Sequence, residues 1–391
     1  MAFKETFKIA RAPMAALASV GVFWGGFSAL VPDIKASVGA SDQAFGLVLL
    51  LSAAGSISAT FLVPRIGKAV GQRAIPVLGM VLVLAFFYPL FAASVGTLAV
   101  ALYFMGGTVA ALDISANVRI SSLEATHKRH LMNVSHAMFS VAFGAAALAA
   151  GLARQAGYGP AEVLPALAVV AFLLSLPMWE SAERFQRRVE TEEEKAAFGK
   201  TPWAAILLTS AVLFAAFIGE NATEAWSALH IERTLGAPAG EGGYGPAVLG
   251  LMMTIVRFSG QFVADRFGEA RLIFWSAICG TIGSVIIGAA PSKEVALIGV
   301  GILGMGMAVI VPSVNSILGR LVSEEQRSHA ISRAWMFGMT GFFVGPTVMG
   351  LISEYFGLRI AFYAIAVLVA AVIPAILSLD RRAKSPVSKA A

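Results

Sequence analysis

Long apolar runs alternate with short charged breaks along this chain, from residue 11 to residue 379. The first six runs cover 11–31, 42–62, 75–94, 97–118, 133–153 and 162–179. The next six cover 203–229, 244–264, 272–290, 294–318, 334–353 and 360–379. A helix of roughly 18 to 25 apolar residues crosses about 30 Å of hydrocarbon, so the pattern predicts about twelve membrane spans. Between the two sets lies Glu180 to Lys200, a long charged segment too polar to enter lipid and read as a cytoplasmic linker. The expected architecture is an all-α membrane protein: a six-helix bundle over 1–180, a linker over 181–202, and a second six-helix bundle with a short cytoplasmic tail over 203–391.

The two sets also resemble each other. Pro64-Arg65-Ile66-Gly67 follows the second run and Asp265-Arg266-Phe267-Gly268 follows the eighth, 201 residues apart, and the same interval separates Gly144 from Gly345. Two pseudo-symmetric bundles that rock around a midplane site are the expectation.

Composition agrees, with 58% hydrophobic and 13% charged residues in a chain of 391 and a mean hydropathy of +0.78, outside the range of soluble domains. The net charge of +6 does not point to nucleic acid, because the basic residues sit in short breaks between runs and form no stripe on a soluble domain. Of 29 lysines and arginines, 23 fall at one set of helix ends and only Lys35, Arg154, Arg233, Lys293 and Arg359 at the other. The positive-inside rule then places both termini in the cytoplasm of a bacterial-type inner membrane. No cleavage site follows MAFKETFKIAR, so the first span is expected to stay in the mature protein. The single cysteine, Cys279, lies in an apolar run, which leaves no disulfide framework and no cysteine metal site. No cofactor is implied, and a monomer is expected.

The remaining basic residue is Arg257, inside a span. Ionisable groups in lipid are costly unless paired or protonated, which makes them the strongest functional signal. Asp113 in the fourth run has Asn117 one helical turn later on the same face. A carboxyl group in a site that disfavours charge can take a proton from one side and release it to the other, and this marks Asp113 for proton coupling. Glu220 and Glu224 share a face of the seventh run, with Asn221 and Trp226 nearby, and read as a solute-binding wall. Glu220 is also a candidate proton carrier. Glu224 approaches the outer interface, so it reads equally as a solvated gate residue, and Trp226 equally as an interfacial anchor. Arg257 lies about 12 Å deeper than Asp265 at 1.5 Å per residue, and Glu220 is its first candidate partner, a substrate carboxylate the second. Gln261 sits one turn below it. His136, near the start of the fifth span, is a further candidate for proton coupling. His230 is expected near the outer surface, and the histidines form no metal cluster.

Twelve spans, a charged central loop and a basic turn after the second span of each half together resemble the major facilitator superfamily over nearly the whole chain. The stretch Gly260 to Arg271, GQFVADRFGEAR, is similar to the family's cytoplasmic turn, in which Asp265 caps and pairs, Arg266 is basic and Gly268 permits the bend. The N-terminal copy, PRIGKAVGQR, has Pro64 in place of the acid. Leu112 to Asn117, His130 to Asn133 and His136 to Gly144 resemble the fucose permease group of bacterial sugar:proton symporters. That resemblance implies a functional acid at Asp113, a companion amide at Asn117 and a polar site at His136, while the group's first-span acid falls at Ser28. It also implies that Trp24, Asn315 and Trp335 lie in cavity-lining spans. Drug:proton antiporters of the family carry a Gly-Pro signature in the fifth span, and FSVAFGAAALAAG here contains no proline. Gly341 to Pro346, with Gly350 beyond, marks the eleventh span for close packing and bending.

The function expected is proton-coupled uptake of a small polar solute, sugar-like by resemblance. Arg257 alone would suit an anionic solute, and the paired glutamates a cation. Proton-driven export is the alternative within the same class. An enzyme would need a motif such as HExxH, which does not occur. A non-transporting sensor would carry a signalling domain, for which the tails are too short.

Overall fold

The structure is a computed structural model that describes residues 2–127, 131–179, 202–322 and 324–384. The charged segment expected as a linker lies outside them, as does His130. The side chains of Gln261, Asp265 and Arg266 also lie outside what is described.

The helices are α1 (Ala2–Ser37), α2 (Asp42–Val70), α3 (Ala74–Ala85), α4 (Val95–His127), α5 (Met132–Gln155), α6 (Pro160–Ser175) and α7 (Trp203–Leu229). They continue as α8 (Tyr244–Phe267), α9 (Glu269–Ala289), α10 (Lys293–Met307), α11 (Ile310–Leu321), α12 (Glu324–Gly338), α13 (Thr340–Ala370) and α14 (Val372–Lys384). Ten stretches of the described residues are long and apolar enough to cross a membrane. One of them, His329–Arg382, has 54 residues. At 1.5 Å per residue that is about 80 Å, more than twice a bilayer core. Gly357 divides it, with φ +80° and ψ 162° inside α13, a conformation that side chains with a Cβ rarely adopt. Gly268, at φ +80°, makes the bend between α8 and α9 that the sequence pattern assigned to it.

The most enclosed of these stretches is in α1, which packs against α4, α5 and α6 and also meets α7 of the later half. The two halves of the sequence meet mainly along α2 with α13 and α5 with α8. Glycine permits both approaches, since a Cβ at Gly250 would sit 2.8 Å from the Gly144 amide nitrogen and one at Gly46 would sit 3.0 Å from the Pro346 carbonyl oxygen. The close packing expected around Gly341 to Gly350 is present in α13.

At the end of the bundle where α1 passes into α2, the halves are joined by ions. Arg154 of α5 donates to both oxygens of Asp33 on α1, at 2.5 and 2.7 Å, and to both oxygens of Glu232 beyond α7, at 2.5 and 3.0 Å. Glu232 accepts in addition from the Gly240 and Gly242 amides at 3.0 and 3.1 Å. Arg233 donates to Asp42 at 2.6 and 2.5 Å, and Lys35 pairs with the same carboxylate at 2.9 Å. Ser353 donates to it as well. Glu354 of α13 accepts from the Asp42 and Gln43 amides at 2.8 and 3.2 Å, capping the open first turn of α2 with a negative charge. Consecutive residues Glu232 and Arg233 reach different helices from a five-residue π-helical turn, His230–Thr234.

All five cations of the poorly basic helix ends are therefore engaged: Lys293 pairs with Glu241, and Arg359 donates to the Gly288 carbonyl at 3.1 Å. Arg154 is the most buried of them, its side chain 2% exposed. Removing it leaves two carboxylates facing each other, a change of the kind that costs about 3–5 kcal/mol. Arg154→Met is expected to loosen this end of the bundle. A cysteine placed at Ser28 in a Cys279→Ser background should then react with a water-soluble maleimide from that face roughly tenfold faster or more. Unchanged reactivity would show that the ions do not hold that end shut.

Candidate solute and proton site

On α4, Asp113 and Asn117 are one turn apart, and the Asn117 amide donates to the Asp113 carbonyl at 2.9 Å and to its carboxylate at 3.2 Å. The Asn117 amide oxygen can only accept. It lies 3.0 Å from Nε2 of His136 on α5, so that nitrogen carries the hydrogen. Ser140, one turn along α5, donates weakly to the His136 carbonyl at 3.4 Å. The same hydroxyl accepts from Arg257 of α8 at 2.6 Å, and the other end of the guanidinium donates to Glu220 of α7 at 3.1 Å. Two polar groups result, Asp113–Asn117–His136 in the first half and Ser140–Arg257–Glu220 across the halves, adjoining at His136, whose ring belongs to the first and whose carbonyl meets the second. The Arg257–Glu220 pair anticipated from helical depth is present, with side chains 20% and 14% exposed.

Ser140 is the link that sequence reasoning missed. It is buried, 2% exposed, and joins the two halves in mid-helix. Its signal was available, because it follows His136 by four residues, the spacing that singled out Asn117. Asp33, Arg154, Glu232, Asp42 and Arg233 were missed for another reason. Near helix ends they read as solvated loop charges, and nothing local shows that they meet across the two halves.

One turn beyond Glu220, Glu224 lines a cavity with about 480 Å³ of empty space, open solvent included. The cavity lies between α1 and α2 of the first half and α7 and α13 of the second. Its rings are Trp24 and Phe27 on one side and Phe342 and Phe343 on the other. Its polar groups are Ser28, Ser52, Ser56, Asn221 and Glu224. Trp24 meets Phe27 edge to face at 5.8 Å, which presents a wall of rings rather than one isolated plate. The Ser56 hydroxyl is spent on the Gly106 and Ser52 carbonyls, both at 3.1 Å.

Several expectations need correction. Glu224 is not a solvated gate residue, being 9% exposed. Trp226 does not line this cavity. It lies about 200° around α7 from Glu224, fully buried and edge-on to Phe45 of α2 at 5.9 Å. Asn315 and Trp335 do not line it either; the Trp335 indole donates to the Asn315 amide oxygen at 3.1 Å and packs edge-on to Phe217. Arg257 is held by Glu220 and Ser140 and stands outside the cavity lining. His230 begins the turn that carries Glu232 and Arg233 at the ionic end and is fully buried there, with Nε2 on the Ile287 carbonyl at 3.0 Å.

Comparison with known proteins adds a family match. The model of the Major Facilitator Superfamily matches residues 14–291 and 209–391. An uncharacterized MFS-type transporter of Yersinia pestis is 26% identical over 351 residues, covering 89% of this chain and 90% of the relative. The membrane protein MosC of Rhizobium meliloti is 24% identical over 349 residues, covering 89% and 84%. In fold, the chain is similar to a bacterial homolog of the human lysosomal transporter Spinster in an inward-facing, unoccupied conformation. That likeness has a TM-score of 0.75 at 15% identity over 96% of this chain and 97% of the other.

Proposed function

The chain belongs to the Major Facilitator Superfamily, whose members are membrane transporters and not enzymes, and from that premise we propose that it takes up a small polar solute together with protons. In this reading the ten candidate stretches become twelve spans. The 54-residue stretch counts twice because Gly357 divides it, and α8 is added as the span that carries Arg257. The bundles 1–180 and 203–391 rock against each other across the linker 181–202, with both termini in the cytoplasm. The ionic end then faces outward.

The observation that carries the proposal is the run of polar groups from Asp113 to Glu220 across the two halves, with a cavity one turn beyond its end. Asp113 is assigned to the proton, with Asn117 and His136 as its hydrogen-bonded neighbours. Arg257 and Glu220 report its charge state to α7. Glu224, Asn221 and Trp24 hold the solute. Because proton and solute sites are separate, both can be loaded before the bundles move, which is what symport requires. The Arg257–Ser140 bond joins the bundles in mid-helix, so the rocking step has to break it.

The test is transport by purified protein in liposomes. A thermal-shift screen of sugars, polyols, amino acids, amines and organic acids selects the solute, and a proton gradient directed inward is then imposed. Accumulation that a protonophore abolishes is the expected result. A gradient that instead drives solute out would establish antiport, the second reading, which the carboxyl group of Glu224 in the cavity itself favours.

A further inference from the structure

We infer that the solute is an organic cation, an amine with an aromatic or aliphatic body, whose charge is taken up by Glu224 and whose body lies among the rings of the cavity. The inference deepens the transport reading and rests on it for the identity of the site. Among the acidic side chains described, Glu224 alone has neither a hydrogen bond nor an ion pair to a described residue. Asp113 has Asn117, Glu220 has Arg257, and the acids of the ionic end have arginines, a lysine or backbone amides. Glu224 is 9% exposed, and what remains uncovered of it lines the cavity. A buried carboxylate with no counter-ion is costly, and a ligand that supplies the counter-ion recovers that cost.

The rest of the lining selects among ligands. Among the described residues it contains no lysine, arginine or histidine, so an anion would meet Glu224 with nothing there to balance it. A polyol would need a dense set of donors and acceptors. The remaining wall is instead largely apolar, with Leu49, Ala53, Ala225 and Pro346 between the rings, and the Ser56 hydroxyl has its hydrogen committed to main-chain carbonyls. A cation gains from the same surface, because the faces of Trp24, Phe27, Phe342 and Phe343 carry negative potential. Arg257, which in the sequence suggested an anionic solute, is neutralised by Glu220 and does not reach the lining.

Equilibrium binding of radiolabelled phenethylamine to the full-length protein in lipid nanodiscs tests this. Unlabelled phenethylamine should displace the label, while phenethyl alcohol, phenylacetate and sorbitol should compete roughly tenfold more weakly or worse. Glu224→Gln should weaken phenethylamine binding by roughly tenfold or more. The comparison among probes uses unaltered protein, so it stands even if the variant fails to fold. Absence of saturable phenethylamine binding, equal competition by the alcohol, the acid or sorbitol, or full affinity in a folded Glu224→Gln protein would each overturn the inference. Its failure is separable from failure of the transport reading. Proton-driven accumulation of a neutral solute without amine binding would sink the cation assignment alone. Glu224-dependent amine binding with no movement under any gradient would sink transport and leave the assignment standing.

Discussion

Arg257→Ala is expected to abolish solute accumulation and to lower the thermal midpoint of the purified protein by several degrees. The guanidinium makes two bonds that nothing else in the neighbourhood can replace, 2.6 Å to Ser140 across the halves and 3.1 Å to Glu220. Without it Glu220 is a lone charge in a site where its side chain is only 14% exposed. Breaking a buried pair from one side costs about 3–5 kcal/mol, whereas replacing both members by neutral groups of similar shape is close to neutral. Arg257→Met combined with Glu220→Gln should therefore recover most of the lost stability without recovering transport. The double-mutant cycle isolates the coupling between the two. A double variant no more stable than Arg257→Ala would mean that the pair is not what the arginine supports. Lysine in its place should serve poorly, since an ammonium does not span two acceptors as a planar fork does.

The second large effect is expected at Asp113. Asparagine has nearly the same shape and can still accept from Asn117, so the local packing of α4 and α5 should survive. What it cannot do is bind and release a proton. Asp113→Asn should therefore reduce proton-driven accumulation to the equilibrium level, while solute exchange with no gradient stays within about twofold of the unaltered protein. The dependence of the exchange rate on pH should flatten at the same time. Accumulation that persists would remove Asp113 from the proton pathway and direct attention to Glu220 or Glu224.

Much of the fold was legible because the bilayer imposes one length on every span and one rule on charge between spans. The pairing of Arg257 with Glu220 was legible for a related reason: counting residues from the Asp265 turn gives depth, and an arginine at that depth has to find an acid. Rotation about a helix axis was harder to read. Glu224 and Trp226 are two residues apart, and the strong apolar character of α7 on all sides gave no indication which of them faces the cavity and which faces α2. Contacts between distant helices were hardest. Arg154 and Glu232 are 78 residues apart, and each lies in a segment that a local reading treats as loop. The sugar-like expectation came from resemblance in α4 and α5, whereas the cavity wall is drawn from α1, α2, α7 and α13. The motif and the lining are on different helices.

The ionic end has a property that follows from how its partners are shared. If the faces separate, Arg154 keeps Asp33, because both belong to the first half, and Asp42 keeps Lys35. Glu232 keeps the amides of Gly240 and Gly242. Arg233, 44% exposed at its side chain already, and Glu354, which gives up the Asp42 and Gln43 amides, are the ions that must turn to water. Most charges thus leave with a partner from their own half, and the two that do not, one of each sign, stay together on the second half.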